Sequence, residues 1–365
     1  VFNAFPPSAA SHPLAGYGWD DSWAAEFAPH ADAALLPGRI VRVDRGRCEV
    51  VVAEADRTVS VRADIAPVVA HDPLDWACTG DWAAVSVSAA GTYVQALLPR
   101  RTAMVRSTSS KRSDGQVLAA NVDTVVIAVS LAAAPDLGRV ERFMALAWES
   151  GAQPLVALTK ADLATDAVHV REDVDAITPG ADVIVVSAVT GRGIEVLASC
   201  LPGTSALVGQ SGAGKSTLAN ALVGADVMTV QSIAGDGKGR HTTTARELLP
   251  LSGGGGVLID TPGLRGVGMF DSADGLQQTF SEIEELAASC RFADCAHLGE
   301  PGCAVQEAIE DGLLTQRRLD SYRKLLRENA WIASRTDQRL RAERLKHWKA
   351  IGREGAAAMR AKGRR

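Results

Sequence analysis

Residues 205–223 read SALVGQSGAGKSTLANALV, an apolar run, the pattern G-x-x-x-x-G-K-S and then a helix-forming stretch. A strand, a glycine-rich loop and a helix in that order constrain the chain to an α/β sheet with this loop at a strand end. Glycines let successive backbone amides of Gly209, Gln210, Ser211, Gly212, Ala213 and Gly214 converge on a phosphate, and the helix that follows adds positive potential. Lys215 is expected to bridge the β- and γ-phosphates and Ser216 to ligate Mg²⁺, with Thr217 completing the loop. The segment therefore predicts a nucleoside triphosphate site.

The surrounding sequence alternates apolar strands with helical stretches. Residues 122–131, 154–158, 182–186, 205–208 and 257–259 read as strands, and 139–149, 194–200 and 215–223 as helices, which implies a mostly parallel sheet covered on both faces. Ahead of it, five short runs at 39–43, 48–52, 58–62, 82–86 and 93–97, separated by glycine-bearing turns, predict a small β-barrel of the oligonucleotide-binding type. Residues 1–36 mix Ala, Pro, Ser and His with scattered Trp and read as an irregular extension. After residue 273 the strands stop, and 276–289, 304–311 and 315–348 read as helices. The expected division is an extension at 1–36, a barrel at 37–102, the nucleotide domain at 103–273 and a helical unit at 274–365.

Val257-Leu-Ile-Asp260-Thr-Pro-Gly263 supplies the next part of the site, an Asp at a strand end that can hold the Mg²⁺ shell and a Gly whose amide can meet the γ-phosphate. Between it and the phosphate loop lies Gly237-Lys-Gly-Arg-His241-Thr242-Thr243-Thr244, where one threonine could close over Mg²⁺ as a switch. Leu158-Thr159-Lys160-Ala161-Asp162 ends another strand. A carboxylate at Asp162 can accept both the N1 hydrogen and the exocyclic amine of guanine, a donor pair that adenine lacks, while Lys160 lays its stem over the base. Ser187-Ala188 ends the following strand and resembles a second base loop. Both base loops precede the phosphate loop, so the order is that of a circularly permuted GTPase, an inexpensive rearrangement where termini lie close together.

Cys290, Cys295, His297 and Cys303 place three thiols and an imidazole within fourteen residues, enough for a closed tetrahedral site holding one structural Zn²⁺. The formal net charge of −5 conceals a basic end, with eleven Lys or Arg against three Asp or Glu over residues 335–365. That end suits an acidic partner or a solvated helix. No basic start leads into an apolar core within the first forty residues, and the longest apolar stretch, 125–134, is too short for a bilayer. The reading is a soluble, cytoplasmic, monomeric protein with no membrane partner.

Together these segments resemble the ribosome small-subunit-dependent GTPase A family. The residues carrying the resemblance are Gln116-Val-Leu-Ala-Ala-Asn-Val-Asp123, Gly209 to Thr217, Gly239-Arg-His-Thr-Thr-Thr244, Asp260 to Gly263, Cys290 to His297 and Glu300-Pro-Gly-Cys303. It implies an RNA-binding barrel, a permuted GTPase domain and a zinc-bearing helical domain. It also implies a factor acting late in small ribosomal subunit maturation, bound to ribosomal RNA, whose GTP hydrolysis that subunit stimulates. Two features stand out against the pattern. Thr159 occupies the place usually held by Asn, so weaker nucleotide binding is expected. Leu264, as in the family, stands where Ras-like enzymes have a water-orienting Gln, and the family's candidate for that task corresponds to His241. The competing readings are a P-loop kinase or ATPase, and an RNA-binding scaffold that uses nucleotide only for order.

Overall fold

A computed structural model describes residues 12–31, 33–107, 115–226, 246–253, 255–260 and 273–336. β1 (Leu36–Asp44), β2 (Arg47–Glu54), β3 (Arg57–Asp64), β4 (Trp82–Ser88) and β5 (Gly91–Leu97) close into a barrel in the order β1-β2-β3-β5-β4. Period-two alternation sends Ile40, Val50, Val52, Val85 and Val94 inward to one core. Gly38 is required there, because a Cβ would lie 2.6 Å from Val50 Cγ1.

The reading of residues 1–36 as irregular is corrected for 12–31. Residues 13–17 form a 3₁₀ turn and α1 spans Asp21–Ala31, with Leu14, Trp19, Trp23 and Phe27 buried. Trp19, Trp23 and Phe27 are spaced four apart, a helical stripe diluted by Ala, Pro and His. The Trp19 ring sits 5.0 Å from Trp82 of the barrel, and Arg101 lies 3.8 Å over Trp23 while pairing with Asp20. A hairpin of β6 (Ala103–Ser107) and β7 (Gly115–Ala120), not anticipated as strands, follows the barrel.

The second sheet holds β8 (Thr124–Ser130), β9 (Gln153–Thr159), β10 (Asp182–Val185), β11 (Gly203–Gly209), β12 (Leu248–Pro250) and β13 (Gly256–Ile259) in the order β10-β9-β8-β11-β13-β12. All neighbours are parallel except β12 with β13. α2 (Leu137–Glu149), α3 (Ala167–Asp175), α4 (Ile194–Ser199) and α5 (Lys215–Val223) cover it. Val125, Ile127 and Val156 share a core with Val140, Phe143 and Met144 of α2, whereas Val126, Leu207 and Leu258 pack with Leu197 of α4 and Leu218 of α5. Both faces are thus buried, as the continuous apolar strands require.

α6 (Ala273–Thr279), α7 (Ser281–Ala287), α8 (Ala304–Glu310) and α9 (Gln316–Thr336) form a separate core around Phe280, Ile283, Val305 and Leu319. This unit is fastened to α2. Gly275 touches it at backbone range, since a Cβ there would lie 2.1 Å from Ala145 O. The fully buried Glu141 accepts from Arg317 at 2.9 Å and Arg318 at 2.8 Å, and Arg318 also donates to Glu282 at 2.6 Å. Among the described residues no helix is long and apolar enough to cross a membrane.

Candidate functional site

The parallel strands end together, and their loops build the site from several distant segments, as open α/β sheets do. β11 ends at Gly209, whose φ of +141° and contact with Ala128 O, 2.4 Å from an added Cβ, admit only glycine. The loop then turns through Gln210, Ser211, Gly212, Ala213 and Gly214 into α5, whose first residues are Lys215, Ser216 and Thr217. Lys215 Nζ donates to Gly209 O at 2.9 Å and Gln210 O at 2.8 Å, which folds its amine back across the loop mouth. Asp260, directly after β13, has its amide fixed by Glu247 O at 3.0 Å. Burial pushes its carboxyl pKa up, Lys215 pulls it back and Glu247 pushes it further, so the lysine and carboxylate share one electrostatic neighbourhood.

The loops that follow β9 and β10 close around Asp162. Ser187 Oγ donates to Asp162 Oδ1 at 2.5 Å, and Ala161 N donates to Val186 O at 3.1 Å, so the two base loops are one unit. This leaves the second carboxylate oxygen of Asp162 to its surroundings. Lys160 adopts the left-handed backbone at φ 59°, which brings its stem over the phosphate loop, with Cε 3.7 Å from the Cβ position of Gly214. A cavity of about 320 Å³ between Ala188, Thr217, Asn220, Ala221, Gly224 and Asp226 lies beside the second base loop. Asn220 and Asp226 carry no motif and could not be singled out from sequence.

Thr159 has a different place from the one its motif position suggests. It is buried, and its Oγ1 lies 2.6 Å from Ala213 O and 3.2 Å from Val129 O. One hydroxyl hydrogen serves the shorter contact, so Thr159 ties the loop at 160–162 to the loop at 209–214. Thr159→Val is expected to weaken GDP and GTP binding alike by roughly ten-fold, because the Ala213 carbonyl is left unsatisfied at about 1–2 kcal/mol. Thr159→Asn offers two hydrogens for the two carbonyls and is expected to bind at least as tightly as the natural chain. Nucleotide titration of both variants checks this, and a Val variant with unchanged affinity contradicts it.

His241, Thr242, Thr243, Thr244, Gly263 and Leu264 lie outside the described residues, as does the basic end beyond residue 336.

The second site is the cysteine cluster, whose four ligand atoms lie within 4.8 Å of one another. Cys290 Sγ is 3.6 Å from His297 Nδ1 and 3.9 Å from Cys303 Sγ, and His297 Nδ1 is 3.4 Å from Cys303 Sγ. Tetrahedral Zn²⁺ with ordinary bond lengths spans roughly 3.8 Å between sulfurs and 3.6 Å between sulfur and nitrogen. The donor set fits. His297 takes φ 58°, and Gln306 and Arg323 both donate to its carbonyl, fixing a backbone turned to aim the ring at the thiols. Burial keeps the imidazole pKa below its ordinary value, which favours the neutral, ligating form. Glu300 accepts from Ala296 N at 3.1 Å and Leu298 N at 2.6 Å, closing the loop between ligands. Neither Gln306 nor Arg323 was legible as part of this site.

Comparison with known proteins agrees with this arrangement. The family model described as RsgA GTPase matches residues 97–270. The chain is 61% identical to the small ribosomal subunit biogenesis GTPase RsgA of Streptomyces avermitilis, covering 97% of this chain and 96% of that one. Against the protein of the same name from Streptomyces coelicolor the identity is 62%, covering 96% and 95%. Among solved structures, YjeQ from Thermotoga maritima superposes with a TM-score of 0.58 at 25% identity, covering 81% of this chain and 98% of that chain. YloQ, described as a circularly permuted GTPase, gives the same TM-score at 23% identity, covering 81% and 95%, and supports the fold alone.

Proposed function

The chain belongs to the RsgA GTPase family, and from that premise we propose that it hydrolyses GTP to GDP and phosphate as a maturation factor of the small ribosomal subunit. The observation that carries this reading is the union of the Asp162 and Ser187 base loops with the Lys215 phosphate loop, joined through Thr159. The residues around the mouth suit a nucleoside triphosphate with Mg²⁺: a folded-back ammonium, a helix N-terminus and a carboxyl whose ionisation is opposed by burial until a cation arrives.

In this reading Asp162 accepts from the guanine edge while Ser187 keeps it oriented, and the amide of Ala188 faces the base oxygen. Lys160 covers the base. The amides from Gln210 to Thr217 and the Lys215 ammonium surround the phosphates and stabilise charge that grows on the leaving oxygen. Ser216 and Thr243 would supply oxygens to Mg²⁺, Asp260 would anchor its water shell, the Gly263 amide would meet the γ-phosphate, and His241 would orient the attacking water. Bound Mg²⁺ supplies neutralisation of the β- and γ-phosphate oxygens. Cys290, Cys295, His297 and Cys303 would hold one structural Zn²⁺, leaving no open position for catalysis.

The barrel and the basic end would contact ribosomal RNA, and the cytoplasm is where such a monomer would meet its subunit. Co-sedimentation tests the partner. With a non-hydrolysable GTP analogue the protein is expected to pellet with purified small subunits, and with GDP to be released. Equal association in both nucleotide states contradicts a switch, and no association in either contradicts the partner.

A further inference from the structure

Where the barrel, the β6–β7 hairpin and the approach to β12 meet, two arginines have no carboxylate partner among the described residues. Arg106 donates through Nη2 to Gln116 Oε1 at 3.0 Å, but its Nε is buried with no partner among the described residues. Arg246, two residues ahead of β12, also has a buried Nε with no hydrogen-bond partner among the described residues. The seam around them is tightly drawn. Thr79 Oγ1 donates to Arg246 O at 3.3 Å, Ala120 N donates to Thr79 O at 3.1 Å, and Cys78 Sγ donates to Val117 O at 3.6 Å.

The nearby acids are engaged elsewhere or face away. Asp81 is held by Arg100 at 2.7 Å, and Asp44 pairs with Arg42 at 3.4 Å. Glu247 makes a backbone β-bridge with Arg42 and is exposed, and strand alternation turns its side chain to the face opposite that of its neighbour Arg246. Burial lowers the Arg246 guanidinium pKa, the Cys78 thiol offsets this in part and Arg106 lowers it further, while no carboxylate contributes. Like charges held together at a half-buried seam, with donors unsatisfied, are costly unless an anion completes them.

A guanidinium presents a planar fork that matches phosphate oxygens, and two of them partly open to solvent suit a phosphodiester better than a compact carboxylate. We propose that Arg106 and Arg246 form a binding site for a backbone phosphate of RNA, seated between the barrel and the edge of the GTPase sheet. This rests on the proposed ribosomal function for the source of the phosphate. Glu247, next to Arg246, both bridges to β1 of the barrel and holds the Asp260 amide. A phosphate here therefore touches the strand that orders the metal side of the nucleotide site.

The test compares the full chain with an Arg106→Gln/Arg246→Gln variant and with Arg246→Lys, measuring affinity for purified small subunits across a KCl series. Each phosphate contact contributes about 0.7–0.9 to the slope of log affinity against log salt, so the double variant, which loses this one contact, is expected to have a slope shallower by about 0.7–0.9. Arg246→Lys is expected to keep the natural slope, and GDP affinity is expected to be unchanged in all three. The double variant is expected to melt no lower than the natural chain, because an uncompensated like-charge pair is removed. Equal slopes with natural binding intact overturn the site alone, whereas absent binding by the natural chain overturns the proposed partner. If inorganic phosphate raises the melting temperature of the natural chain only, but the slopes are equal, the site takes free anion and the RNA assignment is wrong. A large drop in melting temperature with no phosphate effect makes the pair structural.

Discussion

Asp162→Asn is expected to lower GTP and GDP affinity by roughly a thousand-fold while converting the site toward xanthine nucleotides. In the proposed site the Asp162 carboxylate supplies the acceptor pair that would take both the N1 hydrogen and the exocyclic amine. An amide would face that amine with its own NH₂, losing two charge-assisted bonds and adding a clash of donors. Xanthine carries a carbonyl where guanine carries the amine, so the same NH₂ finds an acceptor. Ser187 Oγ, now 2.5 Å from Asp162 Oδ1, can donate equally to an amide oxygen, which keeps the loop in place. Competition between GDP and XDP for a fluorescent nucleotide reads the exchange. Unchanged preference for GDP would remove Asp162 from base recognition.

Removing the proposed zinc should have the next largest effect. Cys303 is buried at 1% exposure and caps the start of α8, so a bound metal would tie that helix to the loop carrying Cys290, Cys295 and His297. Structural zinc in small domains binds with about 10–16 kcal/mol at neutral pH, and much of that is folding free energy. Cys303→Ser is expected to lose the ion and to unfold the loop between α7 and α8 at a temperature well below the rest of the chain. The core of Phe280, Ile283 and Leu319, together with the Glu141 and Arg318 pair, should keep α6 and α9 on α2. Metal analysis should find one zinc per natural chain. A variant with the natural melting profile would mean that the cluster is held by packing alone.

The parts legible in sequence were those whose cause is local. Barrel strands alternate every second residue between glycine turns, and the phosphate loop carries its own strand and helix, so both could be read in place. α1 was missed because its buried Trp23 and Phe27 sit among alanines with Pro29 inside the helix. α3 was missed because Val174 alone among its residues is buried, leaving no apolar period to read. Thr159 looked like a weakened base contact, since its partner Ala213 lies 54 residues along the chain and only the folded sheet brings them together. Arg106 and Arg246 were silent for the complementary reason. What distinguishes them is a buried Nε with no partner among the described residues, which no sequence pattern records.

In the proposed function this site hydrolyses GTP in response to the small ribosomal subunit. The most direct test is the initial rate of GTP hydrolysis by the purified protein with and without stoichiometric small subunits, with Lys215→Ala measured alongside. A slow intrinsic rate is expected, with a rise of at least ten-fold on adding subunits and loss of both rates in the lysine variant to a level roughly a thousand-fold lower. Equal rates with and without subunits, or hydrolysis that survives Lys215→Ala, would contradict the proposed function.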